Sequence, residues 1–494
     1  MGRSLSGRGA RTRFRRTVTD VSEQTNETDQ AALHTESHDP KVPEAWSAFM
    51  RTGWGERELD LPTHPIAEHA ARRRTSLGAA FPGERLVLPA GTYKVRSNDT
   101  DYRFRPDTAH TYFSGNQTSD AVLVVEDGES VLYARPRSSR ETDEFFRDRQ
   151  YGELWAGRRP SLNEMSSSLG LEVRHIDDLA GALSGTGKTR VHRGLSATVD
   201  GLVAGDAGRD AELARVVSEM RLVKDAWEIG ELQEACDITA LGFEDSVREW
   251  DDVLKYGERW IEGTFFRRAR AMGNDIGYDS IVGGGRHATT LHWIENSGPI
   301  TPGELVLLDM GVEGHNLYTA DVTRTIPVDG TFTPLQRELY DLVYAAQEAG
   351  NEAVRPGAPF IAAHQAAMTV LAHGLGDLGL LPVSVEEALD PESKVYSRWT
   401  LHGTSHMLGM DVHDCGEASP EAYNQGTLAE GMVLTVEPGL YFQEDDLLVP
   451  EELRGIGIRI EDDILVTADG HRNLSASLPR TSADVEAWMD ATRR

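Results

Sequence analysis

Carboxylate side chains at the ends of strongly apolar segments are the feature of this sequence best suited to chemistry. Asp309 follows the apolar run Leu305–Leu308, and Glu437 ends a second apolar run. Asp321 lies in a segment whose strand alternation places it on one face with Thr323. A carboxylate in an apolar strand must be paired, protonated or metal-bound, because burial of an uncompensated charge is costly. These residues are therefore candidate metal ligands.

The segment Gly455–Glu461 contributes a fourth carboxylate, Glu461, with an arginine two residues before it. Strand alternation puts the isoleucines of this segment on one face and Gly455, Gly457, Arg459 and Glu461 on the other. Two glycines on this face predict open space beside the charged residues, as a substrate or a metal would require. An ion pair between Arg459 and Glu461 is the ordinary alternative.

Three histidines, His402, His406 and His413, fall within twelve residues. Imidazole together with several carboxylates is a ligand set that suits divalent transition metals. Taken singly, His406 could instead be a hydrogen-bonded core residue and Asp321 a surface strand residue. Taken together, the histidines and the four carboxylates predict a metal centre.

A weak internal repeat indicates how these carboxylates are positioned. The segment Pro302–Gly311 aligns with Glu430–Gly439. In each copy a glycine precedes an apolar strand, a carboxylate ends the strand six residues after that glycine, and a second glycine follows. The repeat predicts a duplicated half-domain whose copies deliver carboxylates to one shared site, with coincidence between two buried strands as the alternative.

The 494 residues are enough for two or three domains. Residues 1–42 combine an arginine-rich stretch with an acidic one and show no apolar period, which predicts a disordered tail. Residues 43–210 mix short apolar strands with helical patterns, as in an α/β domain. Residues 211–494 form the second predicted domain, with amphipathic helices over Asp225–Trp250, Thr333–Glu348 and Ala362–Gly374.

One segment loosely matches a phosphate-binding loop, Ala182–Thr189. A working loop of that kind follows a strand and opens a helix. Here the preceding residues have a helical pattern and the following ones an extended pattern, so we predict a turn between a helix and a strand.

Charge and composition exclude several classes of protein. The chain has 50 basic and 80 acidic residues, for a net charge of −30, which disfavours binding to nucleic acid. No apolar stretch reaches the length of a membrane-spanning helix. Two cysteines, Cys236 and Cys415, cannot form a disulfide framework and fit a cytoplasmic protein.

The motifs above resemble those of a known family. LLDMG, TADVTRT, HGTSHMLGMDVHD, LTVEPGLY and RGIGIRIEDDILV follow the order of the motifs of the pita-bread metallopeptidases. Together with LHWIEN at residues 291–296, they are most similar to the aminopeptidase P (Xaa-Pro aminopeptidase) branch. The resemblance covers about residues 215–485, and more faintly residues 101–115 and 153–159. It implies an α/β N-terminal domain followed by an α+β pita-bread catalytic domain.

The resemblance also implies a role for each candidate residue. Two divalent ions would be held, with Asp321 and Glu461 bridging them; manganese is expected, with cobalt or zinc as alternatives. Glu437 would also serve as general base or proton shuttle, and Arg459 would orient Glu461. The five implied protein ligands are Asp309, Asp321, His406, Glu437 and Glu461.

Residues outside the ligand set are implied to meet the substrate. His292 and His413 match positions that contact the substrate and stabilise the tetrahedral intermediate, and His402 lines the same pocket. Asp107 and Trp155 match positions of the N-terminal domain that reach the substrate end of the site, within one chain or across a subunit boundary.

The implied reaction is hydrolysis of the N-terminal Xaa-Pro bond of peptides by a hydroxide that bridges the two metal ions. The implied partners are peptides with penultimate proline. Other copies of the chain are also implied partners, in a homodimer or a homotetramer. A prolidase, restricted to Xaa-Pro dipeptides, would have the same metal site. A methionine aminopeptidase usually lacks so large an N-terminal domain. A creatinase-like enzyme or a non-catalytic pita-bread peptide-binding protein should have lost metal ligands, whereas all five are present here.

Overall fold

The computed structural model describes residues 33–35, 41–55, 57–185 and 187–493. Most of the predicted disordered tail, residues 1–42, lies outside the described residues. The chain forms two compact units, one within Met1–Arg57 and Arg137–Arg159 and the other within Glu58–Pro136 and Pro160–Arg494. The predicted domain boundary after residue 210 coincides with none of the boundaries between these two units, and it stays a prediction.

The described residues form both α-helices and β-strands. The α-helices are α1 (Glu44–Met50), α2 (Ile66–Ala80), α3 (Thr108–Ser114), α4 (Glu144–Arg147), α5 (Glu153–Ala156), α6 (Leu162–Leu169), α7 (Leu179–Leu183), α8 (Ala197–Leu202), α9 (Ala207–Arg221), α10 (Ala226–Arg248), α11 (Trp250–Tyr256), α12 (Glu258–Met272), α13 (Pro334–Ala353), α14 (Ala362–Asp377), α15 (Val385–Ala388) and α16 (Ser482–Thr492). The strands are β1 (Arg85–Pro89), β2 (Val95–Ser97), β3 (Thr100–Asp101), β4 (Val122–Glu126), β5 (Glu129–Ala134), β6 (Glu172–His175), β7 (Thr189–Val191), β8 (Asp275–Ile276), β9 (Ile281–Gly284), β10 (Leu305–Met310), β11 (Val312–Glu313), β12 (Val322–Pro327), β13 (Val433–Val436), β14 (Gly439–Tyr441), β15 (Gly457–Arg459), β16 (Asp462–Val466) and β17 (His471–Asn473).

A mixed five-stranded sheet in the order β6-β5-β4-β1-β7 forms the N-terminal part of the larger unit. Strand alternation divides its side chains between two cores. Leu86 and Leu123 pack on one side with Leu77 of α2, while Val87 and Val124 belong to the cluster on the other side. The predicted α/β character of this region is thereby confirmed. The suspected phosphate-loop segment follows α7 and precedes β7, which is the reverse of the order that phosphate binding needs.

The predicted helices of the second region are present with small shifts of their ends. α10 begins after Asp225, whose carboxylate accepts hydrogen bonds from the amides of Trp227 and Glu228 in a capping box. Thr333 caps α13 in the same way with Gln336. The long helices α10, α12, α13 and α14 contribute to one apolar core with β10 and β12. Among the described residues, no helix combines the length and apolarity needed to cross a membrane.

The internal repeat corresponds to two similar strand pairs. Gly303 and Gly431, which precede β10 and β13, have nearly equal positive φ angles of 89° and 88°. β10 pairs antiparallel with β12, so that Asp309 faces Thr323, and β13 pairs antiparallel with β16, so that Val436 faces Asp462. Each pair therefore brings two carboxylates together, Asp309 with Asp321 and Glu437 with Glu461.

A buried arginine joins the two strand pairs. Arg324 of β12 is 1% exposed, and its guanidinium donates to the carbonyl oxygens of Thr323 and Glu461 at 2.8 and 2.6 Å. It also donates to the carboxylate of Asp462 at 2.7 Å. Because these contacts lie beside ligand candidates of both pairs, Arg324 fixes the distance between the two halves of the site.

We expect Arg324→Met to lower the free energy of unfolding by about 3–5 kcal/mol. It removes the nearer of the two arginines that compensate the fully buried Asp462, leaving Arg480 at 3.4 Å, and it removes the donor to four carbonyl oxygens. Denaturant unfolding followed by circular dichroism measures this change. Arg248→Met is the matched control, since that arginine pairs with Glu244 on the surface of α10, where ion pairs contribute little. Equal stabilities of the two variants would contradict the role given to Arg324.

Candidate metal centre

One cavity of about 520 Å³ collects nine of the eleven predicted site residues. It lies at the ends of β10, β12 and β13 and beside the segment between β15 and β16. The predicted residues that line it are Asp309, Asp321, His406, Glu437, Glu461, His292, His402, His413 and Arg459.

The ligand candidates lie close enough to share metal ions. Asp321, His406 and Glu461 each offer a ligand atom within 4.8 Å of the other two. Nε2 of His406 lies 3.3 Å from Oδ2 of Asp321 and 3.6 Å from Oε1 of Glu437. Asp309 is joined to Asp321 by a tyrosine, as described below. Their oxygen-rich chemistry with one imidazole fits divalent ions such as manganese, cobalt or zinc.

The electrostatics of the site also fit bound cations. Burial raises the pKa of Asp309, Glu437 and Glu461, and the neighbouring carboxylates raise each of them further. The pKa of Glu437 is raised to about 7. Four carboxylates in one cavity exceed the positive charge that Arg459 and His406 supply, and two dications would offset the excess.

Arg459 contacts the ligand candidates of both strand pairs. Its Nη2 donates to Oδ2 of Asp309, and its Nε donates to Oγ1 of Thr323 at 3.2 Å. The Thr323 hydroxyl in turn donates to Oε2 of Glu461 at 2.6 Å. Arg459 therefore acts on Glu461 through Thr323, whereas its contact with Asp309 is direct.

The protonation of His402 follows from its hydrogen bonds. Nη1 of Arg459 donates to the Tyr441 hydroxyl at 2.9 Å, so that hydroxyl is free to donate to Nε2 of His402 at 2.8 Å. The proton of the neutral ring is then on Nδ1, which lies 2.9 Å from the carbonyl oxygen of Gly403 and 3.4 Å from Oε2 of Glu437. Burial and the charge of Arg459 lower the pKa of His402 to about 3, which keeps the ring neutral.

His406 is placed by the backbone of β13. Its amide donates to Oγ1 of Thr435, and its carbonyl oxygen accepts from the Thr435 amide at 3.0 Å. Burial lowers the pKa of His406, but a hydrogen bond from its ring to Asp321 and the charge of Glu437 outweigh burial and raise that pKa to about 9. The ring of His413 stands edge-on to the ring of His406, with centroids 4.3 Å apart.

Side chains on the N-terminal side of the larger unit anchor the segment that carries His413. Thr108 at the start of α3 donates to Asp411 at 2.6 Å, and Arg105 donates to the carbonyl oxygen of Met410 at 2.8 Å. Arg221 at the end of α9 pairs with the buried Asp414 at 3.0 Å. The two acids on either side of His413 are thus held by residues far away in sequence.

The open space predicted beside Arg459 and Glu461 is present as this cavity, but the glycines of the same segment do not create it. A Cβ at Gly457 would lie 2.1 Å from the carbonyl oxygen of Ala288, and a Cβ at Gly455 would lie 3.6 Å from Cβ of Arg286. The short 3₁₀ turn Gly285–Thr289 fills the space beside these glycines. Gly457 is therefore needed for the close approach of two backbones, and the prediction that this glycine provides room for a ligand was wrong.

Three contributors to the site were not identified from the sequence. Tyr278 places its hydroxyl 2.6 Å from Oδ1 of both Asp309 and Asp321, and it precedes β9 without any motif around it. Thr323 and Tyr441 lie inside the motifs TADVTRT and LTVEPGLY, so the motifs offered a signal for them.

Asp107 and Trp155 do not line this cavity. Asp107 caps α3 by accepting from the amide of His110 and lies 3.4 Å from His192, in a second cavity of about 600 Å³. Trp155 belongs to the smaller unit, where it is 53% exposed and donates to the carbonyl oxygen of Phe146. A contact of either residue with substrate stays a prediction.

Comparison with known proteins assigns the family. The model of the aminopeptidase P N-terminal domain matches residues 69–192, and the model of metallopeptidase family M24 matches residues 230–468. Xaa-Pro aminopeptidase 1 of Streptomyces coelicolor is 55% identical over 462 residues, which cover 92% of this chain and 94% of that one. The chain belongs to metallopeptidase family M24.

Solved structures of two bacterial aminopeptidases show the same fold. The aminopeptidase PepP of Pseudomonas aeruginosa matches with a TM-score of 0.77 at 30% identity, over 87% of this chain and 99% of that one. Aminopeptidase P of Escherichia coli, solved with the inhibitor Pro-Leu, matches with a TM-score of 0.76 at 32% identity, over 87% of this chain and 100% of that one. The expected order of an α/β domain followed by a pita-bread domain is confirmed.

We expect Thr323→Val to weaken metal binding about tenfold or more, because it removes the hydroxyl that orients the Glu461 carboxylate for an M24 metal site. Calorimetric titration of the metal-depleted protein with Mn²⁺ measures the affinity. Thr325→Val is an isosteric control on the same strand, since the Thr325 hydroxyl contacts only the backbone of Arg459. An equal loss of affinity in both variants would contradict the role of Thr323.

Proposed function

We propose that this chain is a metal-dependent aminopeptidase that hydrolyses the N-terminal Xaa-Pro bond of peptides. The observation that carries the proposal is the convergence of four carboxylates, three of them buried, and His406 on one cavity that also holds three further histidines. Membership of M24 and the Xaa-Pro aminopeptidase names of its relatives support the same activity.

The proposed cofactor is a pair of divalent ions held by Asp309, Asp321, His406, Glu437 and Glu461. When bound, such ions lower the pKa of water and polarise a substrate carbonyl. We propose manganese as the native metal, since the ligands are oxygens with one imidazole and no thiolate. Cobalt and zinc suit the same donors.

The proton chemistry is proposed to rest on Glu437 and His402. Glu437 is the carboxylate best placed to carry a proton between water and the leaving nitrogen, because both of its oxygens face imidazole rings in the cavity. His402 keeps a proton on Nδ1 beside Oε2 of Glu437, as its bond with Tyr441 requires. Arg459 stabilises the negative charge of the carboxylates around it and holds Asp309.

Substrate contacts are proposed for the rim of the cavity. His292 and His413 line the cavity from two different loops of the chain, and they would contact the scissile carbonyl. Ile281, Leu291 and Val412 add apolar surface suited to a prolyl ring. The prolyl nitrogen carries no hydrogen, so a site for penultimate proline cannot depend on donation from that amide.

We also propose a cytoplasmic location and a homodimeric or homotetrameric assembly. Both cysteines are free and buried, which suits a reducing compartment. On the smaller unit Phe49 is 75% exposed and Leu154 and Trp155 about half exposed, an apolar surface of the kind that interfaces cover. Analytical ultracentrifugation distinguishes dimer, tetramer and monomer.

Asp321→Ala is expected to abolish hydrolysis, because it removes an acid proposed to bind both ions. The measurements are the turnover of an Xaa-Pro-Pro peptide and the metal content of the purified protein. Both should fall in the variant. Asp341→Ala on the exposed surface of α13 is the control, and it should retain the turnover and the metal content of the unsubstituted chain. Unchanged turnover in Asp321→Ala would refute the metal assignment.

Metal-depleted protein is expected to be inactive and to recover activity with Mn²⁺ on peptides longer than two residues. Parallel assays with Mn²⁺, Co²⁺ and Zn²⁺ on an Xaa-Pro dipeptide and an Xaa-Pro-Pro peptide test the metal and the substrate together. Hydrolysis of the dipeptide alone would identify a prolidase instead. No hydrolysis of either peptide with any metal would leave a non-catalytic binding protein as the better explanation.

A further inference from the structure

A completely buried glutamate, Glu258, lies outside the metal centre and accepts four hydrogen bonds. It is the first residue of α12 and is 0% exposed. Oε1 accepts from the amide of Gly284 at 2.9 Å and faces Nδ1 of His287 at 2.8 Å. Oε2 accepts from the indole Nε1 of Trp293 at 2.9 Å and from the amide of Gly298 at 2.6 Å. A carboxylate has about four acceptor positions, so the capacity of this one is filled.

The surroundings of Glu258 leave no room for another arrangement. A Cβ at Gly298 would lie 2.5 Å from the ring of His287 and 2.8 Å from Oε1 of Glu258. A Cβ at Gly257 would lie 2.3 Å from the carbonyl oxygen of Gly298. The rings of His287 and Trp293 are stacked with centroids 4.0 Å apart. Glu258 therefore organises the chain from the end of β9 to Gly298 around a single buried charge.

That stretch of chain carries His292, whose imidazole makes no hydrogen bond among the described residues; its backbone carbonyl oxygen accepts from the amide of Ile294 at 3.0 Å. His292 is exposed at the cavity, and its position depends on the residues around it. Trp293, the next residue, is held by Glu258. Asn296 ties the end of the loop to β9 through the amide of Val282 and the carbonyl oxygen of Ser280. The bond from Trp293 to Glu258 anchors the residue that follows His292, and a longer bond of 3.5 Å from Nη2 of Arg459 reaches the carbonyl oxygen of the residue before it, Leu291.

We propose that Glu258 is a positioning residue that holds His292 at the cavity through Trp293. The part of this inference that concerns catalysis rests on the proposed function, because it takes His292 as a substrate contact. Glu258 itself touches neither the cavity nor any metal-ligand candidate. It acts by limiting the backbone positions open to His292, so that the imidazole meets the substrate without a loss of conformational entropy at each turnover.

The test is a double-mutant cycle in the metal-loaded full chain, with Glu258→Gln, His292→Ala and the double variant. We expect Glu258→Gln to lower kcat/KM for an Xaa-Pro-Pro peptide about tenfold, because the amide group must present its donor either to Trp293 and Gly298 or to Gly284 and His287, all of which are donors themselves. On the His292→Ala background the same change should cost less than about twofold, since its effect passes through the missing imidazole. Metal content should equal that of the unsubstituted chain in all variants.

Glu228→Gln is the matched control, because Glu228 is also a buried glutamate in the first turn of a helix, with partners Arg73 and Tyr318 remote from His292. Its effect on kcat/KM should be the same with and without His292. Trp293→Phe is a second test of the same contact, since it keeps an aromatic ring beside His287 but removes the indole N–H that donates to Glu258. It should show the same dependence on His292 as Glu258→Gln, even where Glu258→Gln folds poorly.

The proposal would be overturned if Glu258→Gln or Trp293→Phe lowered kcat/KM by the same factor with His292 present as with His292→Ala. Full activity of Glu258→Gln would overturn it as well. An inactive but folded and metal-loaded unsubstituted chain would instead refute the proposed function. In that case crystal structures of the unsubstituted chain and of Trp293→Phe still test the positioning role. The role requires that His292 occupies a different position in the variant.

Discussion

The mutual repulsion of four carboxylates in one cavity, three of them buried, is the constraint on which the rest of the structure depends. Asp309, Asp321, Glu437 and Glu461 reach this cavity from two strand pairs, and burial raises the pKa of three of them. Such a cluster needs compensating cations or protonation of some of its members. Arg459 and His406 supply part of the positive charge, and divalent ions would offset the rest.

The two strand pairs are held in register by residues that bind no metal. Arg324 bonds to backbone beside Asp321 and Glu461, so the halves cannot move apart without exposing buried charges. Arg459 and Thr323 join them again on the cavity side. This arrangement explains how a repeat of weak sequence similarity yields one site, since each half contributes charges that the other helps to compensate.

The substrate side of the site depends on anchors distant in sequence. Asp411 and Asp414 on either side of His413 are held by Thr108 and Arg221, and His292 is held through Trp293 by Glu258. The proposed carboxylate ligands lie on or beside strands, whereas His292 and His413 lie on loops. Loops carry fewer backbone hydrogen bonds of their own, and side-chain anchors supply the rigidity that a catalytic contact needs.

The sequence by itself determined the strands with terminal carboxylates, the long capped helices, the repeat and, through its motifs, the family. Apolar period and capping residues are local signals, and the ligand candidates lie inside ordered motifs. Only the tertiary structure decided that Tyr278 joins two of the acids, that the turn Gly285–Thr289 fills the space beside Gly457, and that Asp107 caps a helix in a second cavity. These are contacts between segments distant along the chain, and no local pattern of residue types encodes which distant backbone or side chain will occupy a given space.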